Sequence, residues 1–148
     1  MEKKISGNPV TSGIEIGYAF LFQSKENQIF KESISRNNVD SEEVRFLNGV
    51  KESQSQLKKI SKSLEKKLGK ESALIIETQY LLLKDKELLD SIIAIIRNKF
   101  VKSEWAIKQI EKKYIELFSN IPDLAFQEKR NDISDILNRI INKMKIEL

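Results

Sequence analysis

Between residues 40 and 68 the apolar side chains Phe46, Val50, Leu57, Ile60, Leu64 and Leu68 step by threes and fours, with Ser53 filling one gap. This is the period of an amphipathic α-helix, kept up for about eight turns, and a chain that begins its main body this way is committed to helix packing. Asp40 followed by Glu43 has the spacing of a capping box at its start. Gly69 stands where a left-handed residue ends a helix, so the pattern predicts a sharp reversal there.

The helical pattern then continues to the end of the chain. A second helix runs to about Leu83, and Asp85 is placed to cap a third whose stripe is Leu88, Leu89, Ile92, Ile93 and Ile96. Ser103 is read as the N-cap of a fourth, which turns Trp105, Ala106, Ile107, Ile110, Tyr114, Leu117 and Phe118 inward and must stop before Pro122. Pro122 and Asp123 open the last helix, with Phe126, Ile133, Ile136, Leu137, Ile140, Ile141 and Met144 as its buried stripe. The fold expected is mainly α: an antiparallel helical bundle over 39–148.

The first 38 residues differ. Ile14, Ile16, Tyr18, Phe20 and Phe22 alternate with Glu15, Gly17 and Ala19, the period of a β-strand, after a turn rich in Gly, Pro and Ser. The polar run from Gln23 to Asn38 reads as a linker with room for a short strand around Ile29 and Phe30. The division expected is therefore 1–38, a strand and linker from an incomplete α/β subdomain, and 39–148, the helical part.

With 148 residues the chain is one domain's worth, enough to bury roughly two-thirds of its unfolded surface. It contains no cysteine and no histidine. That removes disulfides, thiolate and imidazole nucleophiles, and most soft-metal sites. A carboxylate-bridged di-metal centre in a bundle wants Glu-x-x-His pairs, which the sequence cannot supply. There is no Walker-type glycine loop and no nucleophile elbow, so neither catalytic nor metal-ligating residues are assigned.

The net charge of +4 and pI near 9.2 raise the question of nucleic acid. The cations are mostly lysine, interspersed with acids, and arginine occurs only at Arg36, Arg45, Arg97, Arg130 and Arg139. Bidentate phosphate and guanine contacts are poorly provided for, and the lysine, isoleucine and asparagine content also matches the bias of an AT-rich genome. The lysines 58, 59, 62, 66, 67 and 70 read as a solvated helix end, and Trp105 and Tyr114 as core aromatics. No run approaches the ~20 apolar residues of a membrane span, nor is there a signal-peptide core, so a cytoplasmic location is expected, with neither membrane nor nucleic acid as partner.

One stretch has an apolar surplus. From Leu68 to Leu88, Leu74, Ile75, Leu81, Leu82 and Leu88 interleave with Glu71, Glu77, Lys84, Lys86 and Glu87. One flank can enter the core while another presents leucines rimmed by charge, a surface suited to a protein partner.

Five segments, ISGNPVTSGIEIGYAFLF, VDSEEVRFLNGV, IIETQYLLLKDKELLDSI, KSEWAI and EKRNDISDILNRI, occur in the order and spacing that resemble enzyme I of the bacterial phosphoenolpyruvate:sugar phosphotransferase system. The resemblance implies a mixed α/β subdomain beginning with the first strand and an inserted helical subdomain that docks the small phosphocarrier HPr. It also implies that the strand's sheet partners follow the helical insertion, which would leave it here with unpaired edges. In the family the phosphorylated histidine lies further along the chain, and the phosphoenolpyruvate and magnesium site sits in a separate C-terminal barrel. This chain would then be the HPr-docking module of an enzyme I, itself inactive and with no cofactor of its own. The rest of enzyme I would be a second partner. The alternative is a stand-alone helical adaptor or regulatory protein that kept the fold and lost the pathway. Family contacts with HPr that match here in type are Glu71, Ile75, Glu77, Leu82, Glu87 and Leu88. Gln79 stands where many members have histidine, Lys129 where arginine is usual, and Lys70 and Lys86 replace typical acids.

Overall fold

A computed structural model describes residues 2–9, 11–20 and 28–145. A short 3-10 turn, Arg36–Asn38, leads into five helices: α1 (Val39–Leu68), α2 (Lys70–Leu82), α3 (Lys86–Lys99), α4 (Ser103–Ser119) and α5 (Leu124–Lys145). Gly69 alone joins α1 to α2. Its φ of 87° and ψ of 174° lie in a region that essentially only glycine occupies, and its N–H still bonds to the Glu65 carbonyl at 3.0 Å.

The helices pack antiparallel along the chain. Gln54 of α1 reaches the Leu83 carbonyl just beyond α2 (2.9 Å), and Gln56 of α1 holds Arg139 of α5 (2.8 Å). Lys108 of α4 meets Asn138 of α5 at 2.9 Å. One core fills the space between them: Phe46 and Leu57 from α1, Ile92 and Ile96 from α3, Ile107 from α4, and Ile136, Leu137 and Ile140 from α5 are all fully buried. α1 and α5 approach closely at Gly49, where a Cβ would lie 2.7 Å from the Met144 Cγ.

Helix starts that depend on a local side chain form as expected. Asp85 accepts the Leu88 N–H at 3.0 Å, and Asp123 accepts the Ala125 N–H at 2.9 Å. Two others form differently. The N-cap of α4 is Lys102, and its first N–H, that of Ser103, is taken by the Glu42 carboxylate of α1 at 2.7 Å. At the start of α1, Asn38 holds the cap position, while Asp40 and Glu43 both pair with Arg97 of α3 instead of closing a capping box. Tertiary charge partners took over both roles.

The expected strand does not form. Ile14, Ile16, Tyr18 and Phe20 are almost wholly exposed and lie in no strand, and Phe22 falls outside the described residues. An alternating segment becomes a strand only against a partner edge, and the described residues provide none there. Nor do Ile29 and Phe30 form one. The pairing falls just beyond them, in an antiparallel bridge between Ser33 and Val101 flanked by Ile34 N–H to Phe100 O (2.8 Å) and Lys102 N–H to Glu32 O (3.0 Å). Lys31 and Lys99 lie over the Trp105 ring at 5.3 and 5.6 Å, so this short segment is fastened to the helical body. Leu117, expected inward, is 60% exposed. No described helix is long and apolar enough to cross a membrane.

Candidate functional site

α2 carries apolar residues on two sides. Ala73, Ile76 and Tyr80, with Leu83 just past the helix end, recur at threes and fours and turn inward; Ala73 and Leu83 are fully buried. Glu71, Leu74, Ile75, Thr78 and Leu81 recur at the same interval on the outer side, and all five are exposed. Leu74, Ile75 and Leu81 are 57%, 66% and 65% exposed, which leaves a leucine and isoleucine stripe facing solvent. A helix this short with that many apolar groups cannot bury them all against α1 alone.

The six residues taken from the family pattern are distributed unevenly. Glu71, Ile75, Glu77 and Glu87 lie at the surface, Leu82 is half-buried against the core, and Leu88 is 3% exposed. Leu88 is a core residue, its N–H capped by Asp85, so it holds the first turn of α3 in place and offers no side chain to a partner. Leu74 and Leu81, which the apolar pattern singled out but the family correspondence did not carry over, are the stripe's outward leucines.

Beside the stripe, a groove of about 430 Å³ runs between α1 and α2, with Leu57 and Leu81 against Lys58, Lys62, Glu65, Glu77 and Tyr80. Lys58 and Lys84 lie 5.4 and 5.2 Å from the Tyr80 ring centre. Burial pushes the Tyr80 phenol up, but the two lysines outweigh it and hold it below the usual tyrosine value. Tyr114 of α4 feels the opposite field at the far end. Burial first, then the charges of Asp85 and Glu87, push its phenol up.

This surface is broad and shallow, lined by leucines, lysines, acids and a tyrosine. Among the described residues no three acidic side chains gather to hold a metal ion. Fold and surface together define a class: small helical bundles that display an apolar helix face rimmed by charge.

The chain belongs to the PEP-utilising enzyme, N-terminal family, whose pattern matches residues 6–129. It is 31% identical over 142 residues to the phosphoenolpyruvate-protein phosphotransferase of Mycoplasma capricolum subsp. capricolum, covering 96% of this chain and 24% of that protein. The enzyme of the same name from Priestia megaterium is 31% identical over 141 residues, 95% of this chain and 24% of its own length. The chain thus spans about a quarter of the curated relatives it matches. A solution structure of Enzyme I (nEIt) superposes with a TM-score of 0.75 at 27% identity, over 86% of this chain and 52% of that one. The N-terminal domain of Enzyme 1 - Nitrogen shares the fold, with a TM-score of 0.73 at 23% identity, over 82% and 50% of the two chains.

Proposed function

We propose that this chain is the HPr-docking module of a phosphoenolpyruvate-protein phosphotransferase, acting in the cytoplasm in bacterial sugar uptake and catalytically inert by itself. The observation that carries the reading is the exposed stripe of Leu74, Ile75 and Leu81, bordered by Glu71 and Glu77, in a chain of this family. A phosphocarrier must leave after each transfer, and a shallow apolar centre rimmed by charges of both signs suits fast, reversible association. With no histidine in the chain, the phosphoryl acceptor and the magnesium-dependent step belong to the rest of an enzyme I. The same remainder is the partner that the exposed residues Ile14 to Phe20 await.

Titration of unlabelled HPr into the isotope-labelled chain tests this directly. Amide shifts are expected along Glu71 to Leu82 and at Glu87. Leu81→Ala should weaken binding by about tenfold, since burying one such side chain contributes ~1.5 to 3 kcal/mol. Absent shifts, or shifts gathered around Lys62 and Lys66, would overturn the docking face and favour the adaptor reading.

A further inference from the structure

The charge of this chain is concentrated at one end of the bundle. From Lys58 to Glu71 six lysines, Lys58, Lys59, Lys62, Lys66, Lys67 and Lys70, face two acids, Glu65 and Glu71, an excess of +4. That is the net charge of the whole chain: of its 26 cations and 22 acids, the other 20 and 20 cancel. All six lysines are exposed. Every ion pair among the described residues lies elsewhere, within 32–45 and 97–116.

The fold accounts for only part of this cluster. The partial negative charge at a helix C-terminus favours cations in its last turn, where Lys66 and Lys67 stand. Lys58, Lys59 and Lys62 lie six to ten residues before Leu68, beyond that reach. Lys70 opens α2, the end at which a cation is disfavoured. Lys58, Lys62 and Lys66 repeat at every fourth residue, where like charges repel, and Lys59 is three residues from Lys62, so the four share one face of α1. That face borders the docking stripe. Lys58 and Lys62 line the groove whose other wall is Glu77, Tyr80 and Leu81, and Lys58 lies 5.4 Å from the Tyr80 ring centre.

We infer, resting on the docking reading above, that the HPr this module receives carries a row of carboxylates beside its apolar centre, and that the row lies along Lys58, Lys59, Lys62 and Lys66. From Lys58 to Lys66 the helix rises about 12 Å, the length of the row. Glu65 and Glu77 stand in the same groove. A uniform polyanion, whether a lipid surface or a nucleic-acid backbone, meets repulsion there, whereas a protein can set a cation opposite each acid. The row draws the partner in and fixes the orientation in which it meets Leu74, Ile75 and Leu81.

The test follows the rate of association of the cognate HPr with the full chain at low and at physiological salt. Lys59→Glu combined with Lys62→Glu is the principal variant, because neither residue lies over Tyr80 or in the last turn of α1. Its association should slow by roughly tenfold at low salt, with the difference narrowing as salt rises. Lys62→Gln, which removes one charge without reversing it, should slow association less. Amide shifts in the labelled parent should extend from the stripe to Lys58 to Lys66, adding to those of α2 and not replacing them. Unchanged or faster association of both variants, with binding by the parent intact, overturns the acidic row and leaves the docking face standing. No association of the parent with HPr overturns the docking reading and this inference with it. Co-sedimentation of the parent with phosphatidylglycerol vesicles, lost in the double variant while HPr association is unchanged, would assign the lysines to a lipid surface and overturn the row.

Discussion

The two halves of α1 make the most informative comparison in this molecule. Up to Leu57 its apolar residues enter a core shared with α3, α4 and α5, and Phe46, Ser53 and Leu57 are fully buried. Beyond Leu57 its company is mainly α2, and from Lys58 to Leu82 the only buried residue is Ala73. The periodicity is the same on both sides of that point. Leu68, which continues the spacing of Phe46 and Leu57, is 68% exposed. Period tells which face of a helix is apolar, but the number of neighbouring helices decides whether that face is covered. The covered half holds the core together, and the uncovered half leaves apolar area facing solvent.

The largest expected effect breaks the comparison if it fails. Leu137 is fully buried in the body, and Leu137→Ala should cost about 2 to 5 kcal/mol in denaturant unfolding, from lost transfer energy and a cavity that close packing cannot fill. Leu81→Ala, on the outward stripe, should change stability by less than about 0.5 kcal/mol. Similar losses for the two variants would mean that the hairpin end is as tightly integrated as the body. The half-buried Leu82 is a poorer probe, because its truncation would mix stability with binding.

The next effect is pH-dependent and belongs to the body. Burial pushes the Glu42 carboxyl up, but the Arg45 guanidinium and the Ser103 N–H and hydroxyl outweigh it and hold the group below its ordinary value of 4.5. A carboxyl with a depressed folded-state value contributes stability above its unfolded value, and that contribution is lost as pH falls through the folded one. Glu42→Gln should therefore cost about 1.5 to 3 kcal/mol at pH 7, and its difference from the parent should shrink below about pH 4.5. A difference that stays constant from pH 7 to pH 3 would show that the carboxylate's charge is not what joins α1 to α4.

Glu42 also marks the limit of what was legible in the sequence. Asp85 and Asp123 were readable as helix starts because an N-cap acts on N–H groups two or three residues away. Ser103 was misread because its N–H is satisfied from 61 residues away, a contact that no local pattern encodes. Asp40 and Glu43 had the spacing of a cap, yet Arg97 is a stronger partner than a backbone N–H and draws both away. The exposed stripe of α2 was half legible. Leucines rimmed by charge were evident, and the apolar stripe of the third helix already included Leu88; the family correspondence set Leu88 at the surface, and the packing of α3 keeps it in the core.

A smaller loss than those expected for Leu137→Ala and Glu42→Gln sharpens the comparison at the junction of α1 and α2. Gly69 occupies a backbone region that costs other residues about 1 to 3 kcal/mol, yet nothing lies within 4 Å of where its Cβ would be. Gly69→Ala therefore introduces strain without a clash. In the body such strain would be imposed in full. At the hairpin end, where little is buried, the last turn of α1 and the first of α2 can open and relieve part of it. The loss in global stability should stay near the lower bound, about 1 kcal/mol, while amide exchange quickens locally from about Leu64 to Leu74. Exchange at Ile136 and Ile140 should rise only by the factor the global loss implies. If the variant instead quickens exchange equally at Leu64 and Ile140, beyond that factor, the hairpin end and the body unfold as one unit. The exposed stripe would then be a surface of the whole bundle and not of a separately yielding arm.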